Sequence, residues 1–226
     1  MISHEKKFIF VHIPRTGGMH LSKYLVPYCD DESLRFSPYG GGGTSNLHAT
    51  MYDYTEYYGK SILEYNIFTI VRNPYDRILS HAFQHNNGVF EREHFKKLVL
   101  SPWSLGMTPH SHFNYFLNDK FVPDRGATDH TVIFMRPVPP GGLRYIHKII
   151  DWPFFIEFEK YVEQVPRVLE RFGIKYDANE FKKKTNSTTH DHYSHYYEED
   201  EKRTVQDTCG LDLQMFGYRF EDQKNT

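Results

Sequence analysis

The stretch from Lys6 to Leu25, KKFIFVHIPRTGGMHLSKYL, limits the fold more than any other part of the chain. Phe8-Ile9-Phe10-Val11 is a short apolar, β-prone run bounded by polar residues, the pattern of a strand buried in a sheet. It runs through His12 and Ile13 into Pro14-Arg15-Thr16-Gly17-Gly18, and Leu21 to Leu25 is compatible with a helix. A strand, a glycine turn and a helix start in succession suit an anion. The first N–H groups of a helix have no intrahelical partner and point at the ligand, and the helix dipole adds roughly half a positive charge there. Gly17 and Gly18 let the backbone approach a phosphate closely and permit positive φ. Arg15 adds a permanent charge with a fixed fork of donors.

A second unit of the same kind follows. Asn66 to Val71 reads as another buried strand, running into Arg72-Asn73-Pro74-Tyr75-Asp76-Arg77-Ile78-Leu79-Ser80. Asn73 is a good N-cap, Pro74 suits the first helical position and Asp76 favours the first turn, so a helix is expected from there through His85. Arg72 then stands at the carboxyl end of a strand, where open α/β sheets take ligands, and Ser80 lies on the helix behind it. Arg77 either points the same way as Ser80 or is a plain surface arginine. His81 and His85 have the i, i+4 spacing of metal ligands but lack a carboxylate at matching spacing, and no metal is expected.

The chain has 226 residues, enough for one α/β domain with a sizeable core, and 39% hydrophobic content argues for a folded chain. A net charge of −2 argues against non-specific nucleic-acid binding, and two cysteines make no disulfide framework or zinc finger. No apolar run approaches the ~20 residues that span a bilayer. With a strand so close to residue 1, no signal peptide is expected, and the simplest reading is a soluble cytoplasmic protein. A luminal domain trimmed of its anchor reads the same.

Elsewhere the signals are weaker. Gly40 to Gly43 marks a loop, either a connector or the rim of an acceptor site. Phe90 to Leu100 has an apolar helical stripe, Ser111 to Leu117 suits a short helix, and residues 119–148 read as an irregular excursion with one strand candidate at Thr131 to Met135. Trp152 to Phe158 reads as a strand, and Glu159 to Phe172 as a helix stopped by Gly173 and kinked or started at Pro166. Lys182 to Thr189 is a basic loop, solvated or phosphate-facing. It contains the glycosylation pattern Asn186-Ser187-Thr188, which an intracellular protein does not use. His190, His192 and His195 read as a helix lead-in rather than a metal site, and Glu198 to Phe216 as the last helix, capped by Gly217.

The glycine loop is not the Walker form, which needs Gly-Lys-Ser/Thr for the terminal phosphates and Mg²⁺. A loop for one phosphate, with a separate Arg and Ser for another, suits a nucleotide phosphorylated at two ends and bound without metal.

Here the sequence resembles the sulfotransferases that use 3′-phosphoadenosine 5′-phosphosulfate, closest to the membrane-type carbohydrate branch and its soluble microbial relatives. HIPRTGG, at His12 to Gly18, is similar to the family's HIPKTGG loop for the 5′-phosphosulfate. FTIVRNPYDRILS, at Phe68 to Ser80, is similar to its 3′-phosphate motif. The segments Lys184 to Tyr218 and Phe155 to Tyr161 resemble its C-terminal pattern and its strand before the late helix. The resemblance implies a P-loop-like three-layer α/β fold with a central, mostly parallel sheet flanked by helices, and a single sulfotransferase domain over residues 1–226. It implies transfer of a sulfuryl group to a hydroxyl or amine of a glycan or small hydroxylated acceptor. Pro14, Arg15, Thr16, Gly17, Gly18, Met19 and His20 would line the 5′ end of the donor, and Arg72 with Ser80 the 3′-phosphate. Lys184, Asn186 and Ser187 would cover the nucleotide. Arg15 would stabilise the leaving group, and His48, where relatives place a base ahead of an Asp-Tyr pair, would take the acceptor's proton.

Two departures stand out. The family's loop usually carries Lys where Arg15 stands, and often Thr-Ser where Met19 and His20 stand; His20 keeps a donor and Met19 does not. The alternatives are a nucleotide-binding but catalytically degenerate relative and, less favoured, a P-loop-like kinase.

Overall fold

The computed structural model describes residues 1–29, 48–49, 51–100, 155–181 and 190–221. In chain order these form β1 (Ile2–Ser3), β2 (Phe8–Val11), α1 (Gly18–Leu25), α2 (Met51–Tyr58), β3 (Asn66–Val71), α3 (Pro74–His85), α4 (Arg92–Leu100), β4 (Phe155–Glu157), α5 (Tyr161–Arg171), α6 (Ala178–Phe181), α7 (Glu199–Thr208) and α8 (Gly210–Phe216), with short 3₁₀ turns between some of them. The candidate elements at 111–117 and 131–135, the glycine run and the excursion at 119–148 lie outside the described residues. The chain divides into two compact units, Met1–Val71 with Asn114–Thr185, and Arg72–Phe113 with Asn186–Thr226.

The first unit holds an open mixed sheet in the order β1-β2-β3-β4. β1 is antiparallel to β2, while β3 pairs parallel with both β2 and β4. Alternation along the strands sorts the side chains to two faces. Phe8, Phe10, Phe68, Ile70 and Ile156 face one way and pack with Leu21 and Leu25 of α1 and with Val165, Val168 and Leu169 of α5. Ile9, Val11 and Ile67 face the other way, onto Met51 and Tyr54 of α2. Each buried phenylalanine contributes on the order of 2–3 kcal/mol by leaving water. The sheet is thus an α/β sheet covered by helices on both faces, with near-continuous apolar strands, as a doubly covered parallel sheet requires.

Several helix ends follow from capping. α5 closes as the sequence predicts: Gly173, at φ 63°, donates to the Glu170 carbonyl at 2.9 Å, and Ile174 donates to that of Leu169 at 2.9 Å. That is a Schellman stop with glycine in its left-handed position. Pro166 lies inside α5 and does not end it. Of the strand expected over Trp152–Phe158, residues 152–154 lie outside the described residues, Phe155–Glu157 pairs, and Phe158 already belongs to a 3₁₀ turn.

The second unit is helical. Ile78, Leu79, Ala82 and Phe83 of α3 pack with Phe95, Leu98 and Val99 of α4 and with Tyr197, Val205 and Cys209. Arg92 pairs with the fully buried Glu201, which also closes a reciprocal cap with Glu198 at the start of α7. The last helix is not continuous as expected. Cys209 leaves helical geometry at φ −112°, and α8 starts at Gly210. Glycine is a poor helix interior residue, and the break lets Cys209 and Asp212 both be buried. Among the described residues no helix is long and apolar enough to cross a membrane.

Candidate active site

The first unit builds its site around the turn after β2. Two residues there have positive φ, Arg15 at 64° and Gly17 at 84°, with Thr16 between them outside that region. Such alternation turns successive backbone N–H groups toward one concavity, the geometry of an anion nest. Glycine meets this demand freely at position 17, whereas Arg15 holds it against a steric cost of roughly 1–2 kcal/mol. Inside the turn, the buried Thr16 hydroxyl donates to the Ile13 carbonyl at 2.8 Å and ties the loop to itself. α1 begins at Gly18, three residues earlier than the apolar pattern indicates, with Gly17 as its N-cap.

Gly18 is required by what lies against it. A Cβ there would stand 2.3 Å from Cδ2 and 2.6 Å from Nε2 of His12. His12 continues the inward phase of Phe8 and Phe10, stacks on Phe10 at 5.7 Å between ring centres, and is 3% exposed. Burial, with His48 adding to it, holds its pKa well below the ordinary 6.5, so the ring is neutral. His48 meets the same residue twice. Its ring stands edge-on to His12 at 5.1 Å, and its Nδ1 lies 3.0 Å from the His12 carbonyl. A carbonyl can only accept, so His48 Nδ1 carries a proton and the neutral ring keeps its lone pair on Nε2.

Of the remaining loop residues, Pro14 is buried and Arg15 half-buried. Met19 is 40% exposed. His20 is buried in an aromatic group, 5.1 Å from Phe181 and 5.7 Å from Tyr24 between ring centres, with its Nδ1 3.3 Å from the Tyr161 hydroxyl. Burial lowers its pKa. Phe158 closes on Gly17, its ring 3.0 Å from where a Cβ would be.

The second unit carries the other sequence-predicted anion residues. Asn73 caps α3 by accepting from the Tyr75 N–H at 3.1 Å, with Pro74 at the first position, as expected. Its amide also donates to the Tyr193 hydroxyl at 3.3 Å and the Arg219 carbonyl at 3.2 Å. Arg72 sends both Nε and an Nη to Asp76 Oδ2 at 2.7 Å. Asp76 and Ser80 are four residues apart and so share a face of α3. His190 Nε2 is 4.0 Å from the other Asp76 oxygen, and its ring stacks on Phe83 at 5.1 Å. Ser80 and Arg77 are 1% and 4% exposed, so Arg77 is not the surface arginine of the alternative reading.

Thus the fold brings His48, His12 and the Gly18 end of the loop together in the first unit, and Arg72, Asp76 and the α3 start in the second. Lys184, Asn186 and Ser187 lie outside the described residues. No group of three or more His, Cys, Asp or Glu suited to a metal occurs among the described residues. Two contributors had readable but unread signals: His12 by its phase with Phe8 and Phe10, and Asp76 by its i, i+4 spacing from Arg72.

Neither the curated proteins nor the solved structures give a match. A family model described as the sulfotransferase family matches residues 1–219, and so spans both strand–turn–helix motifs and the helices α7 and α8. With a match over nearly its whole length, the chain belongs to the sulfotransferase family.

Proposed function

We propose that this protein transfers a sulfuryl group from 3′-phosphoadenosine 5′-phosphosulfate to a hydroxyl or amine of an acceptor, a carbohydrate by its resemblance, with His48 as the base. In this reading the strand–loop–helix at Phe8–Leu25 is P-loop-like, and residues 1–226 form one sulfotransferase domain. The family match across both units supports that extent. The 5′ end of the donor is assigned to Pro14, Arg15, Thr16, Gly17, Gly18, Met19 and His20, the 3′-phosphate to Arg72 and Ser80, and the cover to Lys184, Asn186 and Ser187.

The observation that carries the reading is the pairing of a phosphate nest with a tautomer-fixed imidazole. Arg15 and Gly17 turn the loop amides outward, and His48 is tethered to the residue that packs under Gly18. Sulfuryl transfer suits that pair. The acceptor oxygen attacks sulfur in line and gives its proton to His48 Nε2. The sulfur–oxygen bond to the 5′-phosphate breaks as the new one forms, and the electron pair stays on the phosphate. Loop amides and the Arg15 guanidinium stabilise that charge as it develops. The bisphosphate leaves without metal assistance. Arg72, oriented by Asp76, would present its guanidinium to a 3′-phosphate, which ATP lacks.

The test is transfer of labelled sulfate to a panel of glycans and small hydroxylated acceptors, by the wild type and His48→Ala. Transfer by the wild type and loss in the variant are expected. A folded protein that binds 3′-phosphoadenosine 5′-phosphate yet labels nothing across the panel would leave the second reading, a nucleotide binder without turnover. The exposed Met19, where relatives carry a hydroxyl, motivates that second reading.

A further inference from the structure

His12 has no part in the chemistry above, yet it touches both halves of the first unit's site. Its Cδ2–Nε2 edge lies under Gly18, its face lies on Phe10, and its carbonyl accepts a hydrogen bond from His48 Nδ1. Its Nδ1 is buried, and no described residue gives that atom a hydrogen-bond partner. The ring keeps that position against the cost of an orphaned buried nitrogen, about 1–3 kcal/mol.

We propose that His12 is a positioning residue for sulfuryl transfer: its carbonyl selects the Nδ1–H tautomer of His48, and its ring is the spacer that sets His48 against the amide of Gly18. The proposal rests on the reading of His48 as the base and of the loop as the phosphate site. Its chemical content is specific. A base must present a lone pair to the acceptor, and an imidazole free to exchange tautomers spends part of its time presenting an N–H instead. The main-chain carbonyl removes that alternative. The ring also stays uncharged, because burial disfavours its protonated form. When His48 takes the acceptor's proton, its nearest ring neighbour then adds no second positive charge.

Two variants separate the parts. His12→Phe keeps a flat ring and the carbonyl, while His12→Ala keeps the carbonyl alone. The readouts are ¹⁵N-detected imidazole spectra of His48 and affinity for 3′-phosphoadenosine 5′-phosphate, neither of which needs the acceptor. In the wild type and in His12→Phe, His48 is expected to show a single Nδ1-protonated tautomer and similar affinity. In His12→Ala, exchange between tautomers should appear and affinity should fall by roughly tenfold or more, as a displaced site does. A merely structural residue would lower thermal stability in His12→Ala without moving the tautomer. An Nε2-protonated His48 in the wild type overturns the proposal, whether or not His12→Ala folds. So does a folded His12→Ala with unchanged spectra and affinity. If the tautomer is fixed as expected but His48→Ala transfers sulfate at the wild-type rate, the base assignment fails and the positioning role falls with it.

Discussion

The two regions proposed to hold the donor's phosphates are made of different materials. In the first unit the turn after β2 works through main chain: positive φ at Arg15 and Gly17, a hydroxyl tied back to Ile13, and a histidine ring filling the space beneath Gly18. In the second unit the start of α3 works through side chains: Arg72 is oriented by Asp76, and Asn73 ties the cap to Tyr193 and Arg219. A main-chain site is defined by what is absent, the Cβ at positions 17 and 18. A side-chain site is defined by what is present. The first should tolerate almost no change in backbone volume. The second should respond in proportion to the charge or hydrogen bond removed.

The largest expected effect breaks the main-chain site. Gly18→Ala drives a methyl to within 2.3 Å of the His12 ring, and relief of such overpacking costs about 1–3 kcal/mol or more. Thermal-shift titration should show weakened binding of 3′-phosphoadenosine 5′-phosphate and of ADP alike, because the proposed reading puts the 5′-phosphate of each in the loop. Arg72→Ala should sharpen the contrast. Loss of a charge-assisted bond is worth about 1.5–3 kcal/mol, and it should weaken the 3′,5′-bisphosphate while leaving ADP unchanged. Equal losses for both nucleotides in Arg72→Ala would remove the distinction between the two regions.

Acid should find the first region through His12. Unfolded, this histidine titrates near 6.5, and folded it titrates well below that value. In the interval between, the unfolded chain binds the extra proton. Stability therefore rises with pH through that interval and is lost as pH falls below 6.5, by up to ~1.4 kcal/mol per pH unit from this one group. Denaturant melts of the wild type and His12→Phe from pH 7 to 5 should show the shallower slope in the variant. The smallest effect belongs to the α3 cap. Asn73→Ala should cost about 1 kcal/mol of unfolding free energy, with nucleotide preference intact.

These regions were also unequally legible. β2, β3 and α3 stand where the residues predict, since apolar runs and an Asn-Pro cap act locally. The Schellman stop after α5 was equally local. The start of α1 is hard to read because Gly17-Gly18 looks like turn, and the His12 ring that leaves no room for a Cβ at Gly18 is not visible in the sequence. The break at Cys209 depends on which residues of α7 and α8 find a core, which no window of sequence states. Arg72 and Ser80 stand out as a pair in the sequence, whereas Asp76 there looks like no more than a first-turn acid. Its ion pair needed the side chains placed. His48 stands out through the family resemblance, and the proton on its Nδ1 follows from the His12 carbonyl that faces it in the fold.

Arg15 has a consequence for anyone stabilising this protein. A common engineering rule replaces non-glycine residues at positive φ with glycine, to recover the roughly 1–2 kcal/mol of backbone cost. Among the described residues the rule selects Lys7, Arg15 and Asn87. At Lys7 such a change removes the Nζ contacts with the Tyr65 hydroxyl and ring. At Arg15 the same change would delete the cation assigned to the leaving phosphate under the proposed function, a loss to which a screen that ranks variants by heat alone is blind.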